Sequence, residues 1–291
     1  MPVGGRADGV SFLRAEIARI EAKTHSKIMG LPTLSSAGFH AFGTALAALL
    51  NGGLARGALH EVLAASPGDL AAAAGFVLAL ASRFANDRQN DRQAPIVWIG
   101  EDFATRENGA LYGPGLALHG LAPEALVLVQ APTAKEALWG LEEALKCRAP
   151  AVVIGEIWTL ARAYDLTASR RLVLAAQKSG TPCLLFAAGL TGAADQLSSS
   201  AETRFEIRAS PSPRLASAAG RLPLPGLAAW SVRIAKARAS PLRMDRGLFR
   251  PVLWDHVEAL FRDALPLSLA ALSRDGSDHP AVGQTRNRQR A

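Results

Sequence analysis

Between residues 59 and 188 the chain alternates short apolar runs with longer helical ones, and few folds accept that alternation. Apolar runs fall at 59–63, 96–99, 124–132, 149–160 and 181–188. Helical patterns stand between them at 69–85, 135–147 and 167–180; the first is almost wholly apolar and the third ends on a glycine. Near-continuous apolar strands separated by helices predict a parallel sheet buried on both faces. Two later segments, "ETRFEIRAS" (202–210) and "AAWSVRIAKARAS" (228–240), alternate apolar and charged residues, the period of a half-exposed strand. The expected fold is therefore α/β. A mostly parallel sheet is flanked by helices and ends in antiparallel strands with one wet face at its C-terminal edge.

Outside that core the signals are weaker. Residues 11–23 carry Phe12, Leu13, Ile17 and Ile20 on one helical face, so 1–37 reads as a small helical arm. A second helical pattern occupies 38–50, and the core is expected to span 38–240. Residues 241–272 read as an added strand or short helix, and 273–291 as a disordered basic tail. The tetrapeptide repeat "NDRQNDRQ" (86–93) reads as a solvated loop. Cys147 and Cys183 form no CxxC pattern and read as buried free thiols of a reducing cytoplasm. The early residues lack a long apolar core, and no uncharged apolar run reaches the ~20 residues of a membrane span. A soluble, cytoplasmic protein with no membrane partner is expected.

The chemistry turns on "EVLAASPGDLAAAAGF" (61–76), which reads as strand, tight turn and helix. That frame is shared with phosphate-binding loops, where backbone N–H groups and a helix N-terminus cradle phosphates, a lysine bridges them and a hydroxyl binds magnesium. Here the turn is Ser66, Pro67, Gly68, Asp69: Asp69 stands where the lysine would fall and Leu70 where the hydroxyl would. A carboxylate at that position repels a triphosphate, and Pro67 removes one N–H donor. As a plain connection, the same residues place Asp69 near a helix start.

The surrounding residues resemble the RecA-like core of the P-loop NTPase type. In that family a "GGL-x-x-G-x-x-HE" element leads into the loop, and Gly52, Gly53, Leu54, Gly57 and Glu61 match it. The likeness runs over about 38–240. It implies a catalytic-carboxylate position at Glu101 or Asp102, in "WIGED", and a magnesium-aspartate position in "VVIGEIWTL", where Gly155 stands with Glu156 one place later. A one-residue shift on a strand points the side chain to the other face. Within the superfamily the chain resembles ImuA-type proteins, accessory factors of SOS-induced mutagenesis. The resemblance implies a scaffold in translesion synthesis without catalytic ATP chemistry and without a cofactor. The implied partners are a catalytically inactive Y-family polymerase-like protein, an error-prone polymerase of the replicative type, and RecA, in a nucleoid-associated setting.

Net charge is +7, and much of it lies in 230–250, where Arg233, Lys236, Arg238, Arg243, Arg246 and Arg250 face one acid, Asp245. Such clusters suit phosphate backbones or an acidic protein surface, so Arg233, Lys236, Arg238, Arg243 and Arg246 are the expected DNA or subunit contacts. The resemblance adds that Lys236-x-Arg238 has the spacing of a basic pair that reaches a neighbouring subunit in filament proteins. Phe249, Leu253, Trp254, Val257, Leu260 and Phe261 recur near helical spacing and read either as a packed helix or as a partner-docking surface. The six histidines show no metal spacing, and no GxSxG or GxGxxG occurs. Two alternatives stay open: a DNA-stimulated ATPase with an unorthodox loop, and a direct single-stranded DNA binder.

Overall fold

The structure is a computed structural model that describes residues 39–40, 50, 53–86, 94–160, 163–215, 224–238 and 247–264. The helical arm, the repeat from residue 87 and the basic tail lie outside the described residues, as does most of the 38–50 pattern. Of the latter, Phe39–His40 form a short strand, β1, and not a helix.

β1 pairs antiparallel with β2 (Leu54–Ala55). The core begins with β3 (Leu59–Ala64), followed by α1 (Leu70–Asn86), β4 (Ile96–Glu101), α2 (Asp102–Asn108) and α3 (Gly113–Leu118). Then come β5 (Leu126–Ala131), α4 (Ala134–Ala144), β6 (Val152–Ile157), α5 (Leu166–Ser179), β7 (Cys183–Ala187) and β8 (Thr203–Ala209). A small antiparallel pair, β9 (Arg214–Leu215) with β10 (Leu224–Pro225), precedes β11 (Ala228–Ala237), β12 (Arg250–Asp255) and β13 (Leu260–Asp263).

Nine of these strands form one sheet in the order β13-β12-β11-β8-β3-β7-β6-β4-β5. The run from β8 to β5 is parallel, and β11, β12 and β13 close the other edge antiparallel. The expected architecture is present. Its two-layer cover follows from strand periodicity, since alternate residues serve opposite faces. On one face Val62, Trp98, Ile154, Phe186 and Phe205 pack under α1, whose Phe76 meets the rings of Phe205, Trp230 and Phe261 with centroids 5.3–5.6 Å apart. On the other face Leu63, Ile99, Val153 and Leu185 pack under α4 and α5, through Leu141 and Leu172 among others.

Local sequence sets the helix ends. Thr133 caps α4, accepting from the Glu136 N–H and donating its hydroxyl to the Glu136 carboxylate. Asp165 caps α5 by accepting from the Ala168 N–H at 2.7 Å. Gly57, one of the motif glycines, has φ +58°, and a Cβ there would lie 3.1 Å from the Ala176 carbonyl. It lets the chain turn from β2 into β3 against the C-terminal end of α5. The segment Pro67–Asn86 is apolar and long enough to cross a membrane by length and composition alone. Here it is the core helix of one sheet face.

Three expectations need correction. β8 is parallel to β3, and two of its three charged residues are not wet: Arg204 and Glu206 are buried, while Arg208 is exposed. β5, read from its apolar run as a buried strand, is the exposed edge, with Val127, Leu128 and Val129 each at 40% or more of full exposure. Cys147 is exposed, whereas Cys183 is buried, and burial lifts the Cys183 thiol to about 12, with the Glu61 charge adding to it.

Candidate functional site

The carboxyl ends of the parallel strands, where open α/β sheets bind ligands, hold the turn 66–69, the start of α2, the turn after β6 and the segment 188–202. Pro67–Asp69 form a single 3₁₀ turn that leads straight into α1. Asp69 is not a free acid facing a ligand. One carboxylate oxygen accepts from the Ser66 hydroxyl at 2.6 Å and the other from the Ala209 N–H at 2.8 Å, which ties the turn to the end of β8. Burial would raise this carboxyl, but those bonds and the Arg208 charge hold it below the usual range.

Glu101 ends β4 and is 2% exposed. Its carboxylate accepts from the backbone N–H groups of Trp158 and Thr159, both at 2.8 Å, and from the Thr159 hydroxyl. It is the clasp that shapes the turn after β6. Asp102 opens α2 and is half-buried.

Gly155 and Glu156 lie on opposite faces of β6. A Cβ at Gly155 would stand 2.5 Å from Leu141 Cδ1 and 3.2 Å from its Cγ, and Leu141 is fully buried. A side chain at the position that the resemblance assigns to a magnesium aspartate would therefore require Leu141 to move. Gly155→Asp is expected to lower stability by at least about 3 kcal/mol, since it crowds Leu141 and buries a carboxyl in an apolar layer, without creating magnesium-dependent ATP binding. Urea denaturation and calorimetric titration check both halves.

Glu156 faces α1. It is 7% exposed and accepts from Asn108 Nδ2 at 2.8 Å and Trp98 Nε1 at 3.2 Å. Burial raises its carboxyl above the ordinary value, and the two donors pull it partly back. It borders a cavity of ≈ 510 Å³ between the first half of α1, the α2–α3 connection and Trp98.

A buried polar cluster binds the segment 188–202 to the sheet. Arg204 donates to Glu61 at 2.6 Å, to the Ala194 carbonyl at 2.7 Å and to the Ser199 hydroxyl at 2.8 Å. The Tyr164 hydroxyl donates to the other Glu61 oxygen at 2.5 Å. Burial, and then the charge of Glu61, push the Tyr164 phenol well above its ordinary value. Glu61, the last residue of the motif, thus anchors a structural ion pair.

The basic segment is divided by the same cluster. Arg233 donates to Glu206 at 2.6 Å and to both oxygens of Asp195 at 2.9 and 3.0 Å. Lys236 donates to the Ser199 carbonyl at 2.6 Å; burial, and secondarily the nearby Arg238, lower it to about 8. These two residues are committed inside the molecule, contrary to a free basic face. Arg238 is exposed, and Arg243 and Arg246 lie outside the described residues.

The docking series is also divided. Its spacing belongs to two strands joined by a turn, not to a helix. Trp254 and Phe261 are 1% exposed and pack in the core, because alternate residues of β12 face inward. Leu253 and Leu260 are half-buried, Val257 is exposed in the turn, and Phe249 lies under the Arg208 guanidinium at 3.8 Å. The described part of the expected docking segment, 247–264, is therefore not separate from the core: β12 pairs with β11 and extends the sheet.

Arg204, Tyr164, Trp98, Asn108 and His119 carry much of this geometry and were not legible as site residues. The one available signal was His60-Glu61, two polar residues inside an otherwise apolar strand, which required buried partners.

Fold and site together define an α/β protein whose strand-turn-helix frame holds no lysine in its turn and whose acids Asp69, Glu101 and Glu156 have internal partners. The chain is similar to Protein ImuA from two strains of Caulobacter vibrioides, 39% identical over 131 residues in each case. That region is 44% of this chain, and the chain spans about half the length, 48%, of the curated relatives it matches. The likeness to ImuA expected from the motifs is therefore found. Among solved structures, the crystal structure of the RadB recombinase aligns with a TM-score of 0.46 and 16% identity, covering 78% of this chain and all of that one. No protein-family model matches.

Proposed function

We propose that the chain is a non-catalytic, RecA-like accessory protein of SOS-induced mutagenesis and DNA-damage tolerance. On this reading it bridges an inactive Y-family polymerase-like protein and an error-prone replicative-type polymerase, and engages RecA. It acts in the cytoplasm at the nucleoid. The observation that carries the loss of catalysis is the turn 66–69, where Asp69 stands in place of a lysine and is bonded to Ser66 and to the end of β8; at Gly155 no carboxylate is present, and one would crowd Leu141. Supporting it, Glu101 is spent on the turn at 158–159. A general base without a bound triphosphate has nothing to activate. The single-stranded DNA reading loses support, because Arg233 and Lys236 have internal partners.

Two measurements test the proposal. Calorimetric titration of the full chain with ATP and magnesium is expected to show no binding, with or without single-stranded DNA. Affinity capture from cells after DNA damage is expected to recover the two polymerase-type partners. Micromolar ATP affinity with DNA-stimulated hydrolysis would overturn the non-catalytic part, and recovery of metabolic enzymes alone would overturn the assignment to mutagenesis.

A further inference from the structure

The cavity beside α1 has a lining that selects for charge. Its ≈ 510 Å³ is in the range of small-molecule sites. Leu70, Ala74, Leu78 and Leu111 form an apolar wall, and Tyr112 adds an aromatic ring at the α2–α3 connection. The charged residues that line it are Glu107 and Glu156; no lysine or arginine is among the lining residues.

Its buried carboxylate has acceptor capacity to spare. Each Glu156 oxygen accepts one bond, from Asn108 and from Trp98, and a carboxylate has about four acceptor sites in all. His119 also lines the cavity, with its Nε2 packed against Gly75 and not facing the open space. Its Nδ1 lies 3.0 Å from the Gly115 carbonyl, which can only accept, so Nδ1 carries the proton and Nε2 is left with a lone pair. That Nε2 is buried and has no hydrogen-bond partner among the described residues. A phosphate or nucleotide would bring negative charge to two carboxylates with no cation to meet it. A cation with several N–H donors would satisfy what is present, since amidinium and guanidinium groups pair bidentately with carboxylates.

We propose that this cavity binds a small organic cation, an amidinium or guanidinium carried on an apolar body, with the cationic fork on Glu156 and the body against the α1 wall. The site goes beyond the scaffold reading and does not depend on it.

Benzamidine is the probe, titrated into the full chain by calorimetry and by ligand-observed NMR. Saturable one-site binding is expected, with no binding of benzyl alcohol, its neutral counterpart, at the same concentrations. Glu156→Gln should weaken benzamidine at least tenfold. Ala71→Phe, at an exposed rim position of the cavity, should weaken it as much while leaving Glu156 and the thermal unfolding curve unchanged. Failure to saturate the unsubstituted protein overturns the site. So does benzamidine binding that either variant leaves undiminished, or equal binding of benzyl alcohol. ATP enters as a separate arm. If ATP binds and benzamidine does not, the cation site fails together with the non-catalytic reading; if neither binds, the cation site alone fails.

Discussion

Replacing Arg204 by alanine is expected to lower the unfolding free energy by about 3–5 kcal/mol, the scale on which breaking one partner of a buried ion pair acts. The Arg204 side chain is 5% exposed and that of Glu61 is fully buried. Without the guanidinium, Glu61 keeps only the Tyr164 hydroxyl, in a place water does not reach, and the Ala194 carbonyl and Ser199 hydroxyl each lose a donor. The pair itself adds little net stability, because both ions had to leave water. An apolar triple replacement, Arg204→Met with Glu61→Leu and Tyr164→Phe, should therefore recover most of what Arg204→Ala loses. Urea denaturation followed by circular dichroism measures both. A loss below about 1 kcal/mol for the single change would mean that Glu61 is solvated or repaired. Limited proteolysis gives a second readout: cleavage within 188–202 should rise in Arg204→Ala, since two of the arginine's bonds hold that segment.

What the chain discloses by sequence follows from how local each cause is. β3, β4, β6 and β7 are legible because a strand buried on both faces must be apolar throughout. The same rule misreads β5, because an apolar run cannot show that its strand stands at the edge. β8 fails in the opposite direction: "ETRFEIRAS" has the alternation of a half-wet strand, yet its Arg204 and Glu206 find Glu61 and Arg233 across the sheet. Long-range charge pairing is invisible to a local period. The 249–261 series is misread because Phe249, Leu253, Trp254, Val257, Leu260 and Phe261 meet a helical spacing by accident of a strand, a turn and a strand. At the site, the absence of a lysine from the turn is plain in the sequence. The tasks that Glu101 and Asp69 perform are not, because each depends on backbone N–H groups brought there by another strand.

Those tasks change how the altered turn is understood. A loop that had lost its ligand and drifted would have unpaired acids at the carboxyl end of the sheet. Here Asp69, Glu101 and Glu61 each join two distant elements: the turn to β8, β4 to the turn after β6, and β3 to the segment before β8. These carboxylates cross-link the sheet's carboxyl edge and stabilise it.

Acid sensitivity is the second large effect expected, and it resides in His60. The ring is fully buried in β3. Nε2 lies 2.8 Å from the Ala55 carbonyl, which only accepts, so Nε2 is protonated and Nδ1 accepts from the Thr203 hydroxyl at 2.7 Å. Both nitrogens are occupied in the neutral ring, and burial lowers the group from 6.5 to about 4, with the Ala55 bond opposing that shift. The folded value lies below the unfolded one, so the unfolded chain binds the proton more tightly between them. Stability is complete above pH 6.5, falls as pH drops from 6.5 to about 4, and has no further slope from this group below that. The span corresponds to about 3 kcal/mol. Glu156, raised by burial, acts with the opposite sign over part of the window, gaining stability as it takes its proton. Asp195 and Asp255 are held low, chiefly by the bonds from Arg233 and from the Glu258 N–H, so their losses come only below the ordinary aspartate value. The comparison that isolates His60 is with His60→Gln, which keeps a donor and an acceptor but does not titrate. The difference in unfolding free energy between the two proteins, measured by urea at steps from pH 8 to 4, should change by about 3 kcal/mol against the histidine protein as pH falls. Parallel curves would mean that the imidazolium is accommodated, which requires water or a carboxylate to reach a ring that now contacts Phe84 and two oxygens inside the sheet.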